Sequence, residues 1–162
     1  MVDGITMNGP ALATPYKTPV SALILIHTKD LQVMIMERAD KPGFWQSVTG
    51  SLESGETPTQ AAIREVLEET GLDATQYVFQ DWQASNTYEI YPHWRHRYAP
   101  GVTENTEHLF GLLLPEPLAV TLAPDEHLRY EWVDWREAAS RVFSWTNVAA
   151  LKRLGEQHGL IL

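Results

Sequence analysis

The chain has 162 residues, 44% hydrophobic and 20% charged, enough apolar material for one packed domain and too much for a disordered chain. Its net charge of −9 argues against a general nucleic-acid binder, yet leaves phosphate substrates open, because bound divalent cations reverse the local sign. With no cysteine, disulfides, thiolate metal sites and a cysteine nucleophile are excluded.

No apolar run approaches the roughly 20 residues of a membrane span. The N-terminus also lacks the basic-then-apolar pattern of a signal peptide, so a cytoplasmic protein with no membrane partner is expected. Residues 1–15 mix Gly, Pro, Thr and Asn with scattered apolar side chains and read as a flexible N-terminal arm; a single domain is expected over 16–162. Val20 to Ile26 (VSALILI) is a buried strand by its continuous apolar run. Lys29 and Asp30 make a turn, and Val33 to Glu37 (VMIME) completes a hairpin. Trp45 to Thr49 reads as a short strand and Gly50 to Thr57 as a loop.

The next element has both ends written into it. Thr57 is a helix N-cap, Pro58 takes the first helical position, Gln60 completes a capping box and Gly71 is the natural stop. Ala62, Ile63, Val66 and Leu67 form the expected apolar face, opposite Arg64, Glu65, Glu68 and Glu69. Further strands are expected at Tyr77–Phe79, Thr87–Ile90, Glu107–Leu114 and Leu128–Val133. A last helix is expected over Asn147–Leu154, ended by Gly155. Strands and helices in this mixed order make an α/β sandwich.

Glu65, Glu68 and Glu69 are spaced i, i+3, i+4, which gathers three carboxylates on one helix patch, with small Ala61 among them. Like charges this close repel, and toward the helix C-terminus the dipole opposes them too. Cations that neutralise the patch would justify it, and oxygen-only donors select Mg²⁺ or Mn²⁺. Glutamate-rich helix faces are usually solvated surface; the flanking residues argue otherwise here. Gly50, Glu56, Arg64, Glu65, Val66, Glu68, Glu69, Gly71 and Leu72 fit G-x5-E-x7-R-E-U-x-E-E-x-G-U, with U aliphatic, at every position. A chance match is on the order of one in a billion per starting position at ordinary residue frequencies.

This pattern is the Nudix box, and the chain resembles the Nudix hydrolases over Gly50 to Leu72. The resemblance implies an α/β/α sandwich with a mixed β-sheet, a loop–helix–loop site for Mg²⁺ (Mn²⁺ as a substitute), and hydrolysis of a diphosphate linkage. Carried over, Glu65, Glu68 and Glu69 are ligand and catalytic candidates, and the Gly50 carbonyl adds an oxygen. Arg64, paired with Glu56, would orient the ligating carboxylates from behind.

Specificity must come from outside the box. His93 to Val102 (HWRHRYAPGV) concentrates His93, Arg95, His96 and Arg97 around Trp94 and Tyr98, groups able to grip phosphate and stack on a flat ring. The plainer alternative is a strand and turn whose arginines pair with Glu104 or Glu107. FWQSVTGSLESGE, RHRYAPGV with Asn105-Thr106-Glu107, Asp125-Glu126-His127-Leu128 and Ser144-Trp145-Thr146-Asn147 together resemble one branch of the family, the bacterial dihydroneopterin triphosphate pyrophosphohydrolases. That branch releases pyrophosphate and leaves dihydroneopterin monophosphate in folate biosynthesis.

The narrower resemblance implies a further metal-site or catalytic carboxylate at Glu126. It places substrate contacts at Lys17, Arg38, Thr49, Ile90, Tyr91, Pro92, His93 and Ser144, beside the candidates Arg95 and Arg97. Phe44, Trp45 and Trp132 read as core, and His27, His108 and His127 carry no ligand spacing. The expected partner is a small-molecule triphosphate and no nucleic acid, with monomer and homodimer both open. Two other readings share these residues: a Nudix hydrolase of (oxidised) dNTPs or dinucleoside polyphosphates, and a non-catalytic nucleotide-binding module.

Overall fold

The computed structural model describes residues 16–162; the expected N-terminal arm lies outside the described residues. The strands are β1 (Val20–His27), β2 (Gln32–Arg38), β3 (Trp45–Gln46), β4 (Val48–Ser51), β5 (Val78–Glu89), β6 (Glu104–Leu113) and β7 (His127–Asp134). The helices are α1 (Pro58–Thr70), α2 (Trp135–Arg141) and α3 (Trp145–Glu156), with 3₁₀ turns at Ala74–Gln76 and Pro92–Arg97.

β1 is the axis of the sheet. One edge runs parallel to β6, from Val20 opposite Thr106 to His27 opposite Leu113. Its other edge is shared: β2 pairs only at His27 opposite Val33, while β4 takes Ser21 to Ile24. β2 therefore leaves β1 and continues against β7, from Gln32–Asp134 to Arg38–His127. β5 closes the far side, antiparallel to β6.

The unbroken apolar run of β1 follows from burial on both faces. Leu23 and Leu25 pack with Trp135, Leu151 and Leu154 beneath α2 and α3. Ala22, Ile24 and Ile26 pack with Ala62 and Val66 of α1. The result is the expected α/β/α sandwich on a mixed sheet. Trp45 is buried in the first cluster and Trp132 packs against the second. No helix among the described residues is long and apolar enough to cross a membrane.

Several elements depart from the sequence expectations. The two strands expected at Tyr77–Phe79 and Thr87–Ile90 are one twelve-residue strand, β5. Its register shifts between Asp81 and Ser85, and Gln83 takes a φ of 53°. Such a bulge breaks the period-two pattern and hides the strand's continuity. α2 had no expected counterpart; Asp134 caps it by accepting from the Arg136 N–H. The segment from His93 forms a 3₁₀ turn and not a strand. Leu67 of α1 is 54% exposed, so the expected apolar face is narrower and its neighbouring sector is filled by Glu65 and Glu69.

Gly155 does not end α3. It lies inside the helix, where a Cβ would overlap the outer ring atoms of Trp135 and sit 3.0 Å from its Cζ2. Glycine is there for close helix–helix contact, despite its cost in helix propensity. Gly155→Ala is therefore expected to destabilise the protein by about 1–3 kcal/mol through overpacking. Urea unfolding would read this as a lower midpoint at unchanged slope.

Candidate active site

The site begins with the capping of α1. The Gln60 N–H donates to Thr57 Oγ1 at 3.1 Å and the Thr57 N–H donates to Gln60 Oε1 at 2.9 Å. At the other end Gly71, at φ 76°, donates its N–H to the Leu67 carbonyl. With both ends pinned, the helix phase turns Glu65 and Glu69 inward, at 9% and 1% exposure, and leaves Glu68 exposed.

Glu65 reaches inward over Gly50 of β4. A Cβ at position 50 would overlap the Glu65 carboxyl carbon and Oε2 and stand 2.7 Å from its Cγ. Arg64 fixes the rim. It donates twice to Glu56 (Nε–Oε2 2.7 Å, Nη2–Oε1 2.8 Å), once to the Ser51 carbonyl at 3.0 Å, and from Nη1 to Glu65 Oε2 at 3.0 Å and Glu68 Oε1 at 3.2 Å. Those bonds hold the Glu56 carboxyl below its usual range. Burial pushes Glu65 upward and Glu69 well upward, each facing the other's carboxyl, with Glu126 adding to the repulsion on Glu69.

Among the described residues Glu69 Oε1 is buried without a hydrogen-bond partner, and so is His127 Nδ1, 4.0 Å away. A relay sets the histidine's tautomer. Arg38 can only donate, so its Nη1 bond of 2.9 Å fixes Oε1 as the side of Gln46 that faces it. Gln46 Nε2 then donates to His127 Nε2 at 3.1 Å, which leaves the ring proton on Nδ1, toward Glu69. Burial, with help from Arg38, holds the imidazole pKa down at about 4, so the ring is neutral at pH 7.

These groups line one cavity of about 820 Å³. Glu126 lies on it, in the turn before β7, with its carbonyl accepting from the Ala39 N–H at 2.9 Å. Lys17, Arg38, Thr49, Ile90, Tyr91, Pro92, Arg97 and Ser144 also lie on it. Arg38 grips Asp40 with two bonds of 2.8 Å and lies 4.7 Å over the Trp94 ring. Arg97 reaches the same Asp40 at 3.3 Å. Thr49 Oγ1 donates to the Ala22 carbonyl, and Ser144 Oγ caps α3 by accepting from the Asn147 N–H.

Two of the substrate contacts expected from sequence, Arg95 and His93, do not reach the cavity. Arg95 bonds the Ile90 carbonyl at 3.0 Å and pairs with Glu89 at 3.1 Å, while His93 packs against Tyr91 and Trp94. A 3₁₀ turn sends successive side chains outward in three directions, so only part of a basic run can face one wall.

The family profile described as "NUDIX domain" matches residues 17–154. The chain belongs to the Nudix family. Dihydroneopterin triphosphate diphosphatase of Escherichia coli (strain K12) is 48% identical to this Nudix hydrolase over 141 residues, 85% of this chain and 93% of that protein. The Haemophilus influenzae protein of the same name is 40% identical over 145 residues, covering 88% and 90%. The solved structure of the E. coli dihydroneopterin triphosphate pyrophosphohydrolase superposes with a TM-score of 0.81 at 48% identity, covering 86% of this chain and 97% of that one.

Nudix hydrolases generally use divalent metal ions, and the residues here fit one. Two buried carboxylates converge, one with an unpartnered oxygen, beside a glycine whose missing side chain gives them room. Among the described residues no three acidic or imidazole groups stand close enough to enclose an ion by themselves. Glu65 and Glu69 would be the principal holders, with the Gly50 carbonyl, Glu68 and Glu126 at hand.

No site role was expected from sequence for His127, Gln46, Asn105, Glu107 and Trp145, all on the cavity. Glu107 is not a surface partner for arginines: it is 5% exposed on β6, and burial pushes its pKa up to about 7, against the lowering influence of the nearby Thr146 and Thr49 hydroxyls. The available signal was its phase, since Asn105, Glu107 and Leu109 alternate along a strand whose next inward residue is core.

A measurable pH dependence follows. The unfolded-state value is 4.5 and the folded value about 7, so the folded state holds the proton more tightly. Stability is undiminished below pH 4.5 and falls as pH rises toward 7 and beyond, by about 3 kcal/mol at one pKa unit per 1.36 kcal/mol. Buried Glu65 and Glu69 act in the same direction. Urea unfolding in chelator at pH 5 and pH 8 should show a smaller loss for Glu107→Gln than for the wild type. Parallel losses would mean that Glu107 stays ionised.

Proposed function

We propose that this Nudix hydrolase is a Mg²⁺-dependent pyrophosphohydrolase that converts dihydroneopterin triphosphate to dihydroneopterin monophosphate in folate biosynthesis. The observation that carries the reading is one cavity joining the Glu65–Glu69 pair to the cationic side chains Lys17, Arg38 and Arg97 and an aromatic wall of Tyr91, Trp94 and Phe143. The 48% identity to the E. coli enzyme supports the choice of substrate.

Bound Mg²⁺ would screen the phosphate oxygens and acidify an attacking water. The chain's own groups do the rest. Lys17, Arg38 and Arg97 draw the triphosphate in by charge, with Asp40 holding both guanidiniums in place. A carboxylate among Glu65, Glu68, Glu69 and Glu126 takes the proton from water as the new P–O bond forms and the anhydride bond between the first two phosphates breaks, giving monophosphate and pyrophosphate. Arg64 keeps Glu65 aimed, and neutral His127 presents its Nδ1–H toward Glu69.

The test is a substrate panel with product analysis: dihydroneopterin triphosphate, dGTP and a dinucleoside tetraphosphate, with Mg²⁺, with Mn²⁺ and with chelator. Dihydroneopterin triphosphate should have the highest kcat/KM and yield pyrophosphate, with Mn²⁺ sustaining turnover and chelator abolishing it. A dinucleotide preferred by about tenfold, or orthophosphate as first product, overturns the reading.

A further inference from the structure

On β6, two buried acceptors have nothing among the described residues to accept from. Glu107 Oε1 is without a hydrogen-bond partner, in a side chain 5% exposed. So is Asn105 Oδ1, in a side chain 1% exposed. Asn105 donates from its amide Nδ2 to Ser21 Oγ at 2.8 Å and to the Tyr88 hydroxyl at 3.2 Å, which leaves Oδ1 as the side without a partner. The two residues stand two apart on β6, so both project to one face of the sheet, and both line the cavity.

Buried polar atoms are almost always satisfied, and an orphan costs about 1–3 kcal/mol. Two orphans of the same kind, on same-face positions of residues that line one cavity, call for a ligand that brings donors. The groups that act on Glu107 are hydroxyls, not cations, so among the described residues no ion pair competes for its free oxygen.

We propose that Glu107 and Asn105 read the heterocycle of the substrate, accepting from the ring N–H and exocyclic NH₂ of a 2-amino-4-oxopyrimidine edge, the edge shared by pterins and guanine. The inference rests on the triphosphate reading above for the direction in which the ring points. Adenine presents a ring lone pair beside its amino group and would set that lone pair against the carboxylate; a uracil edge has one N–H between two carbonyls. A site built to accept hydrogen bonds rejects rings that lack the donors, because its own buried acceptors are then left unpaired. Trp145, 57% exposed on the same cavity wall, offers a flat face to such a ring.

Two measurements test this. In the first, wild type and Glu107→Gln are assayed with dihydroneopterin triphosphate, dGTP and dATP. The isosteric amide turns a donor toward the ring donors. The kcat/KM ratio of dGTP over dATP should fall by at least about tenfold, mainly through KM, with a parallel loss for dihydroneopterin triphosphate. A wild-type ratio near one, or an equal loss on all three substrates, overturns the proposal, because a merely structural role moves every substrate alike.

In the second, neopterin, guanosine and adenosine, which carry no phosphate, are titrated into each protein in the presence of Mg²⁺. Neopterin and guanosine should bind the wild type at least about tenfold more tightly than adenosine, and Glu107→Gln should lose the difference. Equal binding of all three overturns the proposal. The order of neopterin and guanosine assigns the edge to a pterin or a purine. If dGTP outruns dihydroneopterin triphosphate in the wild type, the substrate reading fails while the selectivity test of Glu107 still stands.

Discussion

Glu69→Gln is expected to lower kcat by about 1,000-fold or more, equivalent to about 4 kcal/mol of transition-state stabilisation, while leaving the fold intact. Glu69 is 1% exposed, its Oε1 is unpartnered, and burial with the facing Glu65 drives its pKa well up. A carboxylate in that position is costly to an empty site and useful to a cation. The neutral amide removes the repulsion and can donate to Glu65, so melting in chelator should rise in the variant as activity falls. Mg²⁺ titration calorimetry should show weakened binding in step with kcat. A variant that keeps kcat within about tenfold at saturating Mg²⁺, with wild-type metal affinity, would remove Glu69 from the site.

Gly50→Ala should be nearly as damaging to turnover, and by geometry alone. Gly50 is paired in β4 with Ala22 and has no positive φ, so alanine suits the backbone and gains slightly over glycine in a strand. The added methyl, however, takes the volume occupied by the Glu65 carboxylate. Glu65 must swing away, and the bond from Arg64 Nη1 to its Oε2 goes with it. Displacing a reacting-site group by about 1 Å costs on the order of 100-fold. Expected, then, is a kcat reduced by about that factor with an unfolding midpoint close to wild type. Gly50→Ala at full activity would show that Glu65 acts from some other position.

The Arg38–Gln46–His127 relay ties this end of the site to the substrate end. Arg38 serves both: it lies over Trp94, shares Asp40 with Arg97, and orients the amide that sets the histidine tautomer. A phosphate that drew Arg38 away from Gln46 would be felt at His127 through two hydrogen bonds.

What the amino-acid order determined by itself was local. Thr57, Pro58, Gln60 and Gly71 dictate where α1 starts and stops, because a cap is satisfied by atoms three or four residues away. The spacing of Glu65, Glu68 and Glu69 follows from that helix, as does the identity of β1 from its apolar run. Tertiary structure decided which of those acids are buried, and it decided the rest of the cavity. His127 meets Gln46 across 81 positions and Ser47 meets Asn147 across 100. Glu107 becomes a buried acceptor only once β1, β5 and the start of α3 close around it. Gly155 is read as a helix stop until Trp135 is placed against it. Desolvation depends on every atom that packs nearby, and those atoms come from distant parts of the chain, so it cannot be read from neighbours in sequence.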